Sequence, residues 1–341
     1  MHPVNQIIER NLFRRDSGGH ALWINPEKHT DWRKTAAQCT SLTLFTQDFG
    51  TCSSLKRTGA DVSFSALPEH SGDRYQWIII RLPRQKALLK MLLDCAASCL
   101  APEGVLWLAG ENKAGIKSAD KLLKAHFGRV RKLDNARHCT LFEANDIGKP
   151  RTFDIAGYQE KWLLDCASGE LKVVSYPGVF AHGRLDKGTA LLLKALAGLE
   201  LQGDILDFAC GAGLVGASIA ASHKHTRVSF LDTNALALKA CQDTLEANGL
   251  RGTVIASDGL SELEQTFDTV VSNPPIHADL KTDSRLGLKL LEPVCDFLTP
   301  HGTLIIVANI HLPYEKWLSR AFRHQEQLIA NERYKIILAK R

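Results

Sequence analysis

Apolar and polar positions follow one another along this chain in two rhythms. Short apolar runs such as "DILDFA" (204–209), "RVSFLD" (227–232), "TVIASD" (253–258), "DTVVSN" (268–273) and "TLIIVAN" (303–309) have the length and β-branched content of strands. Between them lie amphipathic stretches such as "NALALKACQDTLEANG" (234–249), spaced as helices. Strands alternating with helices predict an α/β fold with a central, mostly parallel sheet covered on both faces. The last two apolar runs, in "EQLIANERYKIILAK" (326–340), leave no room for a helix and predict an antiparallel hairpin at one sheet edge.

The same rhythm occurs twice. "WIIIRLPRQKALLKMLLDCAASCLAPEGVLWLAGEN" (77–112) matches 267–309 in order: a buried strand ending at proline, a helix, Leu-x-Pro-x-Gly, a second strand. Leu100, Pro102 and Gly104 align with Leu298, Pro300 and Gly302, and Phe127 with Phe322 further on. Two tandem Rossmann-like domains of one fold are expected, 1–150 and 156–341, meeting in the polar segment 145–159. The copies differ at one place. "DFACGAG" (207–213) opens the second, whereas the matching "ALWINPEKHTDW" (21–32) has no glycine. A backbone without glycine does not turn tightly enough to approach a ligand closely, so the first copy reads as degenerate.

Composition adds little to this picture, and charge adds something. The 341 residues, 45% hydrophobic and 23% charged, describe a soluble protein with room for two cores. The amino terminus lacks the apolar stretch of a signal peptide or membrane span. Nine cysteines without Cys-x-x-Cys or Cys/His pairing argue against a disulfide framework or a metal site, and a cytoplasmic location is expected. Residues 1–150 carry 22 Lys+Arg against 15 Asp+Glu, a net +7. Residues 151–341 carry 20 against 22, a net −2. A basic first half suits a polyanionic partner. Lys113, Lys117, Lys121 and Lys124, recurring at helical spacing, are the candidate phosphate contacts.

Gly211, Gly213 and Gly216 form G-x-G-x-x-G between a predicted strand and a predicted helix, a context that binds nucleotide-like ligands. Asp232 ends the next strand, where a carboxylate can accept from both ribose hydroxyls; the plainer alternative is a helix N-cap. Asp207, four residues before Gly211, suits the cationic ammonium of S-adenosylmethionine better than a dinucleotide. "NPP" (273–275) ends the fourth strand, since proline cannot donate to a ladder. It is either a plain strand terminator or a site. An exocyclic amine conjugated to a ring is a poor nucleophile. The Asn273 side chain and the carbonyls of Asn273 and Pro274 offer acceptors that could grip it and steer its lone pair. His277 and Asp279 follow as possible proton relays.

These motifs resemble those of class I S-adenosylmethionine-dependent methyltransferases acting on amino groups. "YPGVFAHGRLDKGTALLL" (176–193), "GENKAGIKSADKLL" (110–123), "DNARHCTLF" (134–142) and "VANIHLPY" (307–314) extend the likeness to the bacterial small-subunit rRNA guanine-N2 methyltransferase C group, over nearly the whole chain. The resemblance implies methylation of a guanine N2 in 16S rRNA of the small ribosomal subunit, by the second domain. It also implies that Asp207, Gly211, Gly213, Asp232 and Asp258 serve the cofactor, with Phe180 and Asp186 in a segment closing over it. Asn273, Pro274 and Pro275 would take the target base, flanked by Ile276 and His277. An aromatic residue is usual after the second proline; Ile276 departs from that pattern and puts base stacking in doubt. Three other readings compete: an N5-glutamine protein methyltransferase, a nicotinamide-dependent oxidoreductase, and a non-catalytic RNA-binding protein.

Overall fold

The computed structural model describes residues 2–14, 18–68, 74–148, 152–274 and 292–341. Pro275, Ile276, His277 and Asp279 lie outside the described residues. Two compact units divide the chain, residues 1–158 and 159–341.

The first unit holds strands β1 (His20–Ile24), β2 (Ser41–Thr46), β3 (Val62–Phe64), β4 (Tyr75–Arg81), β5 (Leu100–Glu111), β6 (Arg129–Ala136) and β7 (Cys139–Asn145). They form one sheet in the order β3-β2-β1-β4-β5-β7-β6, parallel except where β7 pairs with β5 and β6. Its helices are α1 (Pro3–Glu9), α2 (Arg33–Ala36), α3 (Phe49–Lys56), α4 (Lys86–Cys99) and α5 (Ala119–Lys124). Buried Trp23, Trp77 and Trp107 anchor its core, the last two in an edge-to-face pair with centroids 4.9 Å apart.

The second unit opens with a hairpin, β8 (Glu160–Cys166) and β9 (Gly169–Ser175), that the apolar pattern did not announce. Then follow α6 (Lys187–Leu196), β10 (Gly203–Phe208), α7 (Leu214–Ser222), β11 (Thr226–Asp232), α8 (Ala235–Ala247), β12 (Thr253–Ala256), β13 (Phe267–Ser272), β14 (Leu298–Asn309), α9 (Tyr314–Ala321), β15 (His324–Ala330) and β16 (Tyr334–Lys340). The sheet order, β12-β11-β10-β13-β14-β16-β15, repeats that of the first unit strand for strand. The expected C-terminal antiparallel hairpin is β15–β16.

The two sheets share their irregularities as well as their order. β5 and β14 both run twelve residues, with identical alternation of buried and exposed positions. Each includes its Leu-x-Pro-x-Gly segment, which the sequence suggested as a connection before the strand. The ladder absorbs it through a register shift, between Tyr75 and Trp77 on one side and between Phe267 and Thr269 on the other. Gly104 and Gly302 are required there, because a Cβ at either would lie 2.8 Å from the side chain of Leu100 or Leu298.

Strand register makes the units comparable residue by residue. Ile24 pairs with Ile80 on the last rung between β1 and β4; Phe208 pairs with Ser272 on the last rung between β10 and β13. Position 23 therefore matches 207, 25 matches 209, and 81 matches 273. On the other side Ile24 pairs with Phe45 and Phe208 with Leu231, so Thr46 matches Asp232.

Candidate active site

In the second unit, β10 lies between β11 and β13, and the connections leave it in opposite directions. That switch point opens a crevice at the carboxyl ends of the strands, where ligands of such sheets bind. The β10–α7 turn forms one wall. Ala209 adopts φ +59°, Gly211 +56° and Gly213 +78°, three left-handed residues in five. The glycines differ in what they do. A Cβ on Gly213 would stand 2.7 Å from Cys241 Sγ, and one on Gly216 would stand 2.4 Å from the Phe230 ring, so both serve packing. Around a Cβ on Gly211 no atom lies within 4 Å, so this backbone faces open space. Gly211 is thus the glycine of the three best placed to let a ligand approach.

Asp207, 2% exposed at the end of β10, accepts a hydrogen bond from Gly216 N at 2.8 Å. Burial raises its pKa from the ordinary carboxylate value to about 7; the Gly216 bond works against the shift and the Asp232 charge adds to it. A cationic group in the crevice would recover the cost of ionising it. Asp232 is held elsewhere: it accepts from Gly211 N at 2.9 Å and from Asn234 N at 2.9 Å. The N-cap of α8 is Asn234, bonding Leu236 N and Ala237 N, so the capping role considered for Asp232 falls to its neighbour.

Asn273 follows β13, and the ladder stops there because Pro274 has no N–H. Its Nδ2 donates to Asp186 Oδ2 at 3.1 Å and to Thr189 Oγ1 at 2.9 Å. Asp186 is the N-cap of α6, accepting from Gly188 N and Thr189 N. The opposite wall comes from the unannounced hairpin. Side-chain bonds pin β9 and the residue after it to α8 and its C-cap: Tyr176 to Asp243, Thr244 to Val174, and Asn248 to Lys172. Trp162 and Ser175 of that hairpin line one cleft with Phe180, Asp186, Asp207, Gly211 and Asn273. Phe180 is 61% exposed there, a large apolar ring left open to solvent.

The cleft thus gathers Phe180, Asp186, Asp207, Gly211 and Asn273 from the expected site, together with Trp162, Arg184 and Thr189, which the sequence did not single out. Gly213, Asp232, Asp258 and Pro274 are not among its lining residues. The chemistry of the donor set fits S-adenosylmethionine: a buried carboxylate for a cation, an open glycine for a close ligand, and an amide lining the same cleft. Among the described residues no group of three His, Cys, Asp or Glu is placed to hold a metal. No helix among them is long and apolar enough to cross a membrane.

In the first unit the positions that strand register matches to Asp207, Asp232 and Asn273 are altered. Trp23 occupies the place of Asp207, Thr46 that of Asp232 and Arg81 that of Asn273. Glu27, two residues past Asn25 as Gly211 is past Ala209, forms a salt bridge with Arg81. His2, the N-cap of α1, reaches Glu27 at 3.5 Å and Glu111 at 3.2 Å. An indole and charged side chains thus replace the carboxylate, the amide and the open glycine of the second unit at the matching positions.

The four lysines require a correction. They do not lie on one helix: Lys113 and Lys117 sit in two 3-10 turns separated by Gly115 at φ +89°, and only Lys121 and Lys124 lie on α5. The spacing suggested a continuous helix because a left-handed glycine leaves periodicity intact while breaking the backbone. All four are exposed, Lys113 beside Glu111 at 3.3 Å and Lys124 beside Asp120 at 2.7 Å.

Known proteins share this fold. The family model described as "Methyltransferase small domain" matches residues 170–338, and "Methyltransferase small domain N-terminal" matches 6–162. The fold is that of a class I methyltransferase, duplicated. Curated relatives include the ribosomal RNA small subunit methyltransferase C of Shewanella pealeana, 37% identical over 77% of this chain and 76% of that protein. The protein of that name from Pseudomonas aeruginosa is 40% identical over 77% and 78%. The chain belongs to the ribosomal RNA small subunit methyltransferase C family. Among solved structures, the 16S rRNA N2 G1207 methyltransferase of T. thermophilus, determined with AdoMet and guanosine, superposes with TM-score 0.87 at 22% identity, covering 100% of this chain and 92% of that one. That likeness is one of fold.

Proposed function

We propose that this protein transfers a methyl group from S-adenosylmethionine to the exocyclic N2 of a guanine in 16S rRNA, at the position corresponding to G1207 of its structural neighbour, within the small ribosomal subunit. The observation that carries the reading is one cleft in which the buried Asp207, the open Gly211 backbone and the Asn273 amide come together in a chain of this family. S-adenosylmethionine, when bound, supplies a methyl group made electrophilic by its sulfonium. The rest falls to the protein. Gly211 allows close approach, Asp207 meets positive charge, and Asp232 ties its strand end to the loop through Gly211 N.

Asn273 offers its side-chain oxygen as acceptor to the target NH2. A hydrogen bond there holds the amine, draws electron density onto its nitrogen, and aligns its lone pair. Phe180 is an exposed apolar face lining the same cleft as Asn273 and supplies the stacking wall that Ile276 does not. Unit 1 serves as the RNA platform: the residues matching Asp207, Asp232 and Asn273 are altered there, and it carries the basic excess. Lys113, Lys117, Lys121 and Lys124 are its phosphate contacts.

The deciding experiment is incubation with methyl-labelled S-adenosylmethionine and small subunits lacking the modification, followed by nucleoside analysis. Label in N2-methylguanosine supports the reading. Label recovered in protein glutamine would replace it with the N5-glutamine activity, whose substrate amide presents a similar NH2.

A further inference from the structure

We infer that Asp186 and Thr189 are positioning residues that fix which way Asn273 turns its carboxamide, and through it make the site selective for hydrogen-bond donors. The inference rests on the guanine-N2 reading above and deepens it.

A carboxamide is nearly symmetric in shape and opposite in chemistry on its two sides. Turned one way, Asn273 presents an acceptor to the target amine. Turned the other way, it presents two N–H groups to another NH2, and the two repel. Nothing in the side chain itself chooses between these states. Asp186 does: a carboxylate only accepts, so the edge of Asn273 facing it must be nitrogen. Thr189 Oγ1 accepts a second bond from the same nitrogen at 2.9 Å. With Nδ2 engaged twice, Oδ1 lies on the opposite edge of the planar group, as the acceptor for substrate.

Three further observations tie the clamp together. Thr189 is 8% exposed, so its hydroxyl has little water to fall back on. Asp186 caps α6 through Gly188 N at 2.8 Å and Thr189 N at 3.1 Å, which fastens the clamp to a rigid helix. Gly188 stands between them, and a Cβ there would lie 3.0 Å from Asp186 Oδ2, 3.1 Å from Val307 Cγ1 and 3.4 Å from Asn273 Nδ2. The run Asp186-Lys187-Gly188-Thr189 is therefore shaped around the amide: acceptor, spacer, gap, acceptor. The arrangement also accounts for asparagine at 273, since aspartate would set one carboxylate against another. In the first unit the N-cap corresponding to Asp186 is His2, and Arg81 replaces the asparagine. Clamp and amide are both missing there.

The test compares Thr189→Val and Thr189→Ser in the full chain. Single-turnover methyl transfer to 16S rRNA in subunits lacking the mark should fall about tenfold in T189V, the worth of about one hydrogen bond. Its KM for subunits and its S-adenosylmethionine affinity by calorimetry should stay within about twofold, and T189S should stay near wild type. A purely structural loss would not separate rate from affinity in this way. An independent readout needs no activity: the side-chain amide of Asn273 in the ligand-free, 15N-labelled chain, identified by its disappearance in N273A. Its hydrogens should exchange slowly in wild type and T189S and rapidly in T189V. Wild-type turnover in T189V, or exchange at the open-solvent rate in wild type, overturns the clamp. If the wild-type chain labels no guanine, the guanine-N2 reading fails on its own, and the exchange measurement still decides the clamp.

Discussion

Asp207 and Asn273 carry opposite kinds of information at the scale of the single residue. Asp207 is sensitive to protonation: its pKa of about 7 arises from burial, against 3.8 for a free carboxyl. In the ligand-free protein this group contributes stability that is full below the unfolded pKa of 3.8 and is lost as pH rises through about 7. Cofactor binding runs the other way, because a cationic ligand favours the ionised form. S-adenosylmethionine affinity should be level above neutrality and should fall up to about tenfold per pH unit below 7. Asp207→Asn should bind more weakly and lose that dependence, and calorimetry between pH 5.5 and 8.5 checks both. For Asn273 the expected change lies in rate. Asn273→Ala should slow transfer by roughly 100–1,000-fold while cofactor affinity stays within a few-fold, since the side chain addresses the amine and not the nucleotide. Near-normal turnover by a folded N273A would return Asn-Pro-Pro to the role of a strand terminator.

The elements separate two uses of glycine that sequence alone merges. G-x-G-x-x-G was legible at once, but which glycine meets ligand and which meets protein depends on Cys241 and Phe230, far along the chain. Gly213→Ala forces a left-handed alanine against Cys241 Sγ and should cost about 3 kcal/mol or more, read as a lowered urea midpoint. Gly211→Ala meets only the backbone penalty, about 1–2 kcal/mol, yet should weaken cofactor binding far more than it weakens the fold. The strands of the second sheet, and β4 and β5 of the first, were legible for a simple reason. A buried parallel strand is an unbroken apolar run, as in "WIII" and "TVV". The β8–β9 hairpin escaped notice because β8 buries little besides Leu164, so its alternation is faint. Thr189 escaped for another reason: its partner lies 84 residues away, and a lone hydroxyl inside an apolar helix gives no local sign of what it meets.

For the whole molecule, the duplication predicts a stoichiometry. Two sheets of one topology would suggest two cofactor sites, but in the first Trp23, Thr46 and Arg81 stand at the positions of Asp207, Asp232 and Asn273. Titration of the full chain should therefore saturate at one equivalent of S-adenosylmethionine, and two equivalents would contradict the assignment. The basic first unit predicts a salt dependence. Lys113 and Lys124 already have acidic neighbours, so Lys117 and Lys121 are the better candidates of the four for phosphate contact. Changing these two to Gln should flatten the slope of log affinity against log salt, for many RNAs alike. The change should be roughly 0.7–0.9 for each phosphate the protein then leaves unneutralised. An unchanged slope would leave the two lysines as a solvated face. The duplication also repeats a bend of the backbone. Ala209 bends into the left-handed region beside the crevice, and Asn25, its counterpart by strand register, bends likewise at φ +54°. Asparagine tolerates that bend better than alanine, so the first unit holds the turn at the lower backbone cost. The two units thus share the contour of this turn while the side chains set around it differ.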